Sequence, residues 1–229
     1  MLLFSALACA GPLEIKIVFD NTVAAAPCEK GWGFAAFVTM DGRRLLFDAG
    51  GDAAVFMRNL GALGIDPASF DTVVISHRHG DHTAGLAALQ QRNPRLKVLW
   101  PDSPQPYRIV PGIYSTGTIQ GPAAEQALVM ETSKGLVIVT GCSHPGVVRM
   151  VQAAVDQRKA KEVRLLIGGF HMVNDKPEQV STAIAQLKAL NVRRVAATHC
   201  TGARAIAMFR ESFGPDFQEA GAGRVITLE

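Results

Sequence analysis

The order of apolar and polar residues changes character along the chain. Leu13 to Phe19 alternates and is rich in Ile and Val, which predicts a strand ending at Asp20-Asn21. After a Gly/Pro/Cys loop that reaches Gly33, Phe34 to Met40 and Arg44 to Phe47 read as two strands joined by Asp41-Gly42, a two-residue hairpin signal. A short helix is predicted over Asp52 to Leu60, and a continuous apolar strand over Thr72 to Ser76. Ala84 to Gln91 reads as a helix that stops before Asn93-Pro94, and Lys97 to Trp100 as a strand. Pro101, Pro104, Pro106 and Pro111 make the stretch from Pro101 to Gly112 a loop. Ala127 to Glu131 and Leu136 to Thr140 form a second hairpin through Ser133-Lys134-Gly135.

Beyond that hairpin the pattern becomes strand and helix in turn. Val147, Val148, Val151, Ala154 and Val155 recur at helical spacing, as do Val180, Ala183, Ile184, Leu187 and Leu190. Buried strands at Val163 to Ile167 and Val195 to Thr198 lie between and after them, and a helix at Ala203 to Phe213 and a strand at Val225 to Leu228 close the chain. Hairpins with apolar faces, interleaved with amphipathic helices, imply an α/β fold in which two packed sheets carry helices outside: a four-layer αββα sandwich. No repeat or linker divides the chain, so residues 11–229 are expected to form one domain.

Composition narrows this picture. The chain has 229 residues, 48% hydrophobic and 19% charged, and no apolar run of the roughly 18 residues that suggests a membrane span. The net charge is +3 with scattered basic residues, and the densest group, Arg158, Lys159, Lys161 and Arg164, reads as the solvated end of a helix. A nucleic-acid partner is therefore not expected; a small-molecule substrate is. Met1 to Ala10 is apolar and ends Ala8-Cys9-Ala10, as a signal-peptidase site or a lipoprotein cysteine would, although no basic residue precedes it. A periplasmic or secreted location is favoured on that ground. Four cysteines, Cys9, Cys28, Cys142 and Cys200, are too few and too spread for a disulfide framework and read as small, half-buried residues.

The candidate chemistry lies in six histidines, His77, His79, His82, His144, His171 and His199. Each follows a predicted buried strand directly or within a few residues, and strand ends are where loops of a layered α/β fold converge on a pocket. Alternate residues of an extended stretch point the same way, so His77 and His79 can grip one cation. Asp81 and His82 follow as the chain turns, with Gly80 giving the backbone freedom, and can face a second. Imidazole and carboxylate suit zinc, iron or manganese.

Ser76-His77-Arg78-His79-Gly80-Asp81-His82-Thr83 resembles the His-x-His-x-Asp-His signature of the metallo-β-lactamase superfamily, and Leu46-Phe47-Asp48-Ala49-Gly50 resembles its earlier Asp-x-Gly motif. Thr140 to Gly146, Gly168 to His171 and Thr198 to Gly202, with Asp20-Asn21 and Trp32-Gly33, are similar to the branch containing the archaeal dihydropteridinyl-methyl-aminobenzene ribofuranosyl phosphate synthases. The resemblance implies the metallo-β-lactamase fold and two divalent metal ions, zinc before manganese or iron. It assigns His77, His79 and His144 to the first metal and Asp81, His82 and His199 to the second. The pair would share and activate a hydroxide, with Asp81 as the catalytic carboxylate that orients it or passes a proton.

Two departures stand out. Where relatives bridge both metals with an aspartate, this chain offers Gly169-Phe170-His171, so His171 either replaces that ligand or hydrogen-bonds the substrate. The segment between Trp100 and Gly117 is also short, which implies an open pocket. Asp48 is expected to hold a ligand imidazole, or else to cap the helix near Asp52. Cys142 and Cys200, near the ligands, are read as inert packing before soft ligands or a disulfide. Asn21, Trp32, Ser143 and Thr201 are candidate substrate contacts, with a structural turn role as the alternative for each. The function implied is hydrolysis of a phosphoester, or of another ester or lactone. Alternatives are a synthase joining a pterin diphosphate to an aminobenzene nucleotide, a di-iron redox protein and a metal-binding protein without chemistry.

Overall fold

Strand β1 (Leu13–Phe19) buries Leu13, Ile15 and Ile17 on one face, as its alternation demands. A register shift between Ile17 and Phe19 lets Val18 and Phe19 serve the opposite core. In this computed structural model, which describes residues 12–229, β1 pairs antiparallel with β2 (Ala35–Met40), and β2 with β3 (Arg43–Phe47), across the Asp41-Gly42 turn. Asp52 caps helix α1 (Ala53–Ala62) by accepting from the Val55 N–H, and the chain crosses over to β4 (Thr72–Val74), parallel to β3. Short helices α2 (Gly80–Thr83) and α3 (Leu86–Arg92) then lead to β5 (Lys97–Leu99), parallel to β4.

The second sheet begins with β6 (Tyr107–Val110) and β7 (Ile113–Ser115), continues through the hairpin β8 (Leu128–Thr132) and β9 (Gly135–Thr140), and turns parallel. Helix α4 (Val147–Arg158) links β9 to β10 (Val163–Gly169), and α5 (Pro177–Ala189) links β10 to β11 (Val195–Thr198). Helix α6 (Ala203–Phe213) follows, and β12 (Val225–Leu228) returns to the first sheet beside β1. The strand orders are β12-β1-β2-β3-β4-β5 and β11-β10-β9-β8-β7-β6.

The apolar residues sort into three layers. Ile15, Val38 and Phe47 from one sheet meet Met130, Val139 and Ile167 from the other. Phe56, Leu60 and Leu89 cover the outer face of the first sheet, while Val151, Ile184, Leu187 and Phe209 cover that of the second. Gln126 ties the sheets together near the site: its Nε2 donates to the carbonyls of Ile75 and Leu99, and its Oε1 accepts from Ser115 Oγ and Tyr107. The αββα sandwich expected from the pattern is therefore the fold.

Some local expectations are corrected. The proline-rich stretch 101–112 holds a strand, β6, because Pro106 and Pro111 flank rather than interrupt Tyr107–Val110 and the strand lies at the sheet edge, where a missing donor is tolerated. The helix expected from Ala84 starts at Leu86 and is preceded by the separate turn α2. Arg158 and Lys159 end α4, but Arg164 lies on β10, and Arg158 is paired with Glu131 over the Tyr114 ring. Cys28, Cys142 and Cys200 are free thiols and buried rather than half-buried. The apolar segment 1–10, with Cys9, lies outside the described residues. Among the described residues no helix is long and apolar enough to cross a membrane.

Candidate metal centre

The carboxyl ends of β3, β4, β9, β10 and β11 open on the same edge of the sandwich, the place where parallel strands leave room for a site. From β4 the chain runs extended through His77 and His79, whose facing nitrogens lie 3.1 Å apart. Arg78 points away, pairs with Asp102 at 2.7 Å and lies over Trp100. The chain then turns into α2, which aims Asp81 and His82 at the same space; Asp81 Oδ2 lies 3.7 Å from His82 Nε2 and 3.3 Å from His199 Nε2. The turn fits only because Gly33 is bare: at its φ of +146° a Cβ would run into the Asp81 carbonyl oxygen.

The imidazoles are held by their far nitrogens. Asp48 is buried at φ +59°, a backbone region that Asp can visit, and accepts 2.7 Å hydrogen bonds from Ser76 N, Ser76 Oγ and His82 Nδ1. Ser76 Oγ, its proton given to Asp48, accepts from His77 Nδ1 at 2.9 Å. His199 Nδ1 donates to Asn21 Oδ1 at 3.0 Å. These partners hold Nδ1 of His77, His82 and His199, so that Nε2 of each ring points into the site, where a cation can take the place of a proton. The cap expected as the alternative for Asp48 falls to Asp52.

His144 comes from the turn after β9, and its buried Nε2 has no hydrogen-bond partner among the described residues. Its ring lies 4.7 Å from those of His77 and His79 and 4.2 Å from that of His171. His171, exposed and at φ +54°, sits beside the sulfurs of Cys142 and Cys200 rather than among His77, His79 and Asp81. Donor atoms gather in overlapping groups: Asp81, His82, Cys142 and His199; His77, Cys142 and His144; His77, His79 and Asp81; and Cys142, His171 and Cys200.

Protonation follows the crowding. Burial, then the neighbouring imidazoles, keeps His77 far below the usual histidine range and brings His144 down to about 4. Burial opposes ionisation of Asp81, but the His199 hydrogen bond and the charges of His82 and His199 outweigh it and hold the carboxylate ionised. His77 and His144 are thus neutral imidazoles and Asp81 a carboxylate, the forms that bind a divalent cation. Burial works against a charge on His82, but the Asp48 carboxylate outweighs it and raises its pKa, so a cation there takes the place of a proton.

Two buried carboxyls absent from the sequence-based site frame it. Glu125 Oε1 accepts from the backbone N–H of Gly141, Cys142 and Ser143, and Oε2 from that of His144, so one side chain shapes the whole ligand turn; burial pushes its pKa up to about 7. Asp20, raised to about 6 by burial, accepts from Thr198 Oγ1 at 2.5 Å and anchors the strand end before His199. For Glu125 the sequence offers only a charged residue beside a buried apolar strand, whereas Asp20 belongs to the Asp20-Asn21 pair of the family resemblance.

Of the candidate substrate contacts, Trp32 is 59% exposed and lies 5.0 Å from the His199 ring. Asn21 Oδ1 is committed to His199 and to the Gly33 N–H. Ser143 and Thr201 are buried, with hydroxyls donating to the Gly169 and Thr198 carbonyls, which is a turn role. A cleft of about 760 Å³ runs from His144 and His171 along Val148, Phe170, Met172 and Ala183.

Replacing Asp48 by Asn keeps the backbone conformation but removes the charge that holds His82. We expect affinity for the cation at His82 to fall about 10–100-fold, read by competition with a chromogenic chelator; unchanged affinity would show that His82 is oriented without it.

Residues 43–110 match the family model of the β-lactamase superfamily domain. Over 263 aligned residues the chain is 29% identical to the 7,8-dihydropterin-6-methyl-4-(β-D-ribofuranosyl)-aminobenzene-5'-phosphate synthase of Methanocaldococcus jannaschii, covering 86% of this chain and 90% of the relative. It is 31% identical to the ribonuclease Z of Salinibacter ruber over 107 residues, 44% of this chain and 32% of that one. The crystal structure of a metal-dependent hydrolase of the β-lactamase superfamily superposes with a TM-score of 0.77 at 24% identity, covering 95% and 98% of the two chains. The metallo-β-lactamase fold protein YhfI of Bacillus subtilis gives 0.69 at 16%, over 95% and 100%. At these identities the two structures establish the fold.

Proposed function

We propose that this chain, whose residues 43–110 match the β-lactamase superfamily domain and whose fold is that of a metal-dependent hydrolase of that superfamily, is itself a metal-dependent hydrolase acting on a small phosphoester or a related ester or lactone. The observation that carries the reading is the buried Nε2 of His144, which has no hydrogen-bond partner among the described residues and lies within a cluster of imidazole, thiol and carboxylate donors. His77, His79 and His144 form one donor set and Asp81, His82 and His199 the other, for two divalent cations, zinc before manganese or iron. Bound there, such a pair polarises the substrate oxygen and acidifies water to near neutrality.

The chain's own groups do the rest. The Asp81 carboxylate, held ionised and with a side chain 20% exposed, orients the attacking water or takes its proton and passes it to the leaving oxygen. Trp32 lays its exposed face beside the substrate, and the cleft along His144 and His171 receives the leaving group. The phosphoester preference rests on the archaeal relative, whose name specifies a 5'-phosphate product.

Metal content tests this directly. Plasma mass spectrometry of the purified protein should find about two divalent metals per chain, and about one in His144→Ala. One metal or none, unchanged by the variant, overturns the assignment. A screen with bis(p-nitrophenyl) phosphate, a lactone and nitrocefin then separates phosphoester, lactone and β-lactam substrates. A second reading, a synthase making a dihydropterin–aminobenzene phosphate, is favoured by the 29% identity that spans most of both chains. It would appear as coupled product in mass spectrometry, with no turnover of the simple esters.

A further inference from the structure

We propose that Cys142 supplies a thiolate shared by both cations, in the place where a bridging carboxylate is missing; this rests on the two-metal reading above. Cys142 Sγ lies 3.2 Å from His82 Nε2 and 3.3 Å from His199 Nε2. The Nδ1 atoms of both rings are committed to Asp48 and Asn21, so their Nε2 atoms converge on one sulfur. Donors around a tetrahedral cation, with metal–nitrogen bonds of about 2.0 Å and metal–sulfur bonds of about 2.3 Å, stand about 3.3–3.6 Å apart. Cys142 Sγ lies 3.2 and 3.3 Å from His82 Nε2 and His199 Nε2, and Asp81 Oδ2 3.7 and 3.3 Å from the same two nitrogens, close to the spacing of such a shell, with all four donors within 4.8 Å of one another. The same sulfur belongs to the His77 and His144 group, so it stands between the two donor sets.

The strand that would carry a bridging aspartate has no room for one. A Cβ on Gly169 would press against Cys200 Sγ, the Gly141 carbonyl and the His199 ring. Phe170 is buried in the core beneath α6, and His171 turns toward the sulfurs. Glu125, by holding the Cys142 N–H, fixes the thiol where the two sets meet. Coordination replaces the S–H bond with metal–sulfur bonds and releases the proton to solvent, with no change of oxidation state. A thiolate selects zinc, iron or cobalt over manganese or magnesium.

The test loads the full chain with cobalt(II) and with zinc. In the wild type and in Cys200→Ser, cobalt should give the intense near-ultraviolet absorption of thiolate-to-metal charge transfer; in Cys142→Ser and Cys142→Ala the band should vanish and affinity for the second equivalent should fall at least tenfold. X-ray absorption of di-zinc Cys200→Ser should show one sulfur per zinc at about 2.3 Å. Half a sulfur per zinc, a thiolate on one metal alone, overturns the bridge, as does none. Two cobalt ions without a Cys142-dependent band overturn this proposal and leave the hydrolase reading standing. No cobalt bound overturns both. The zinc measurement does not depend on either Cys142 variant folding.

Discussion

Glu125→Ala is expected to cost about 4 kcal/mol of folding stability, a large share of what a domain of this kind possesses. Four backbone N–H groups, of Gly141, Cys142, Ser143 and His144, end on this one buried carboxylate at 2.9–3.1 Å. Each orphaned buried donor costs about 1–3 kcal/mol, and water entering the vacated space recovers part of the sum. Glu125→Gln keeps one carbonyl oxygen for three of the donors but sets its amide N–H against that of His144, so a loss of about 1–2 kcal/mol is expected. Urea unfolding of the two variants checks both figures. If Glu125→Ala loses less than about 1 kcal/mol, something other than this carboxylate holds the ligand turn.

Asp81→Ala should have the largest effect on turnover, lowering hydrolysis of bis(p-nitrophenyl) phosphate about 10²–10⁴-fold. Asp81 Oδ2 is the carboxylate oxygen that faces His199 and His82, its side chain is 20% exposed, and it is kept ionised by those neighbours. The backbone groups that pack around residue 81, its carbonyl accepting from Phe34 N among them, survive the substitution. The melting temperature of the metal-free protein should therefore shift by only a few degrees. Full activity in Asp81→Ala would remove the proton-transfer role; full inactivity with a collapsed melting transition would make the residue a structural one.

Much of this was legible in the residues because the relevant physics is local. Helix α6 starts and ends where the apolar spacing of Ala203 to Phe213 says it should. The Asp41-Gly42 hairpin follows from turn chemistry. The gathering of histidines was legible for a similar reason: one extended stretch and one tight turn set the directions of His77, His79, Asp81 and His82. What stayed hidden depends on long-range packing. Glu125 meets its partners 16–19 residues away, across the β8–β9 hairpin, and nothing in its own neighbourhood announces them. Cys142 looked like packing because its distances to His82 and His199 span 60 and 57 positions of sequence. β6 was hidden because prolines were counted without asking on which side of the strand they fell.

The donor sets draw on opposite halves of the sandwich: His77, His79, Asp81 and His82 leave the first sheet, while Cys142, His144 and His199 leave the second. A cation shared across that seam acts as a staple, closing loops as long as the one from His82 to His199. The unfolded chain would then be robbed of freedom much as by a disulfide, with no oxidant needed. Such a staple opens and closes with the supply of free metal, and by mass action each tenfold excess over its dissociation constant adds about 1.4 kcal/mol to the folded state. Survival of the fold and readiness of the site would be governed together by one environmental variable, so that a metal-starved copy is both idle and first in line for proteolysis.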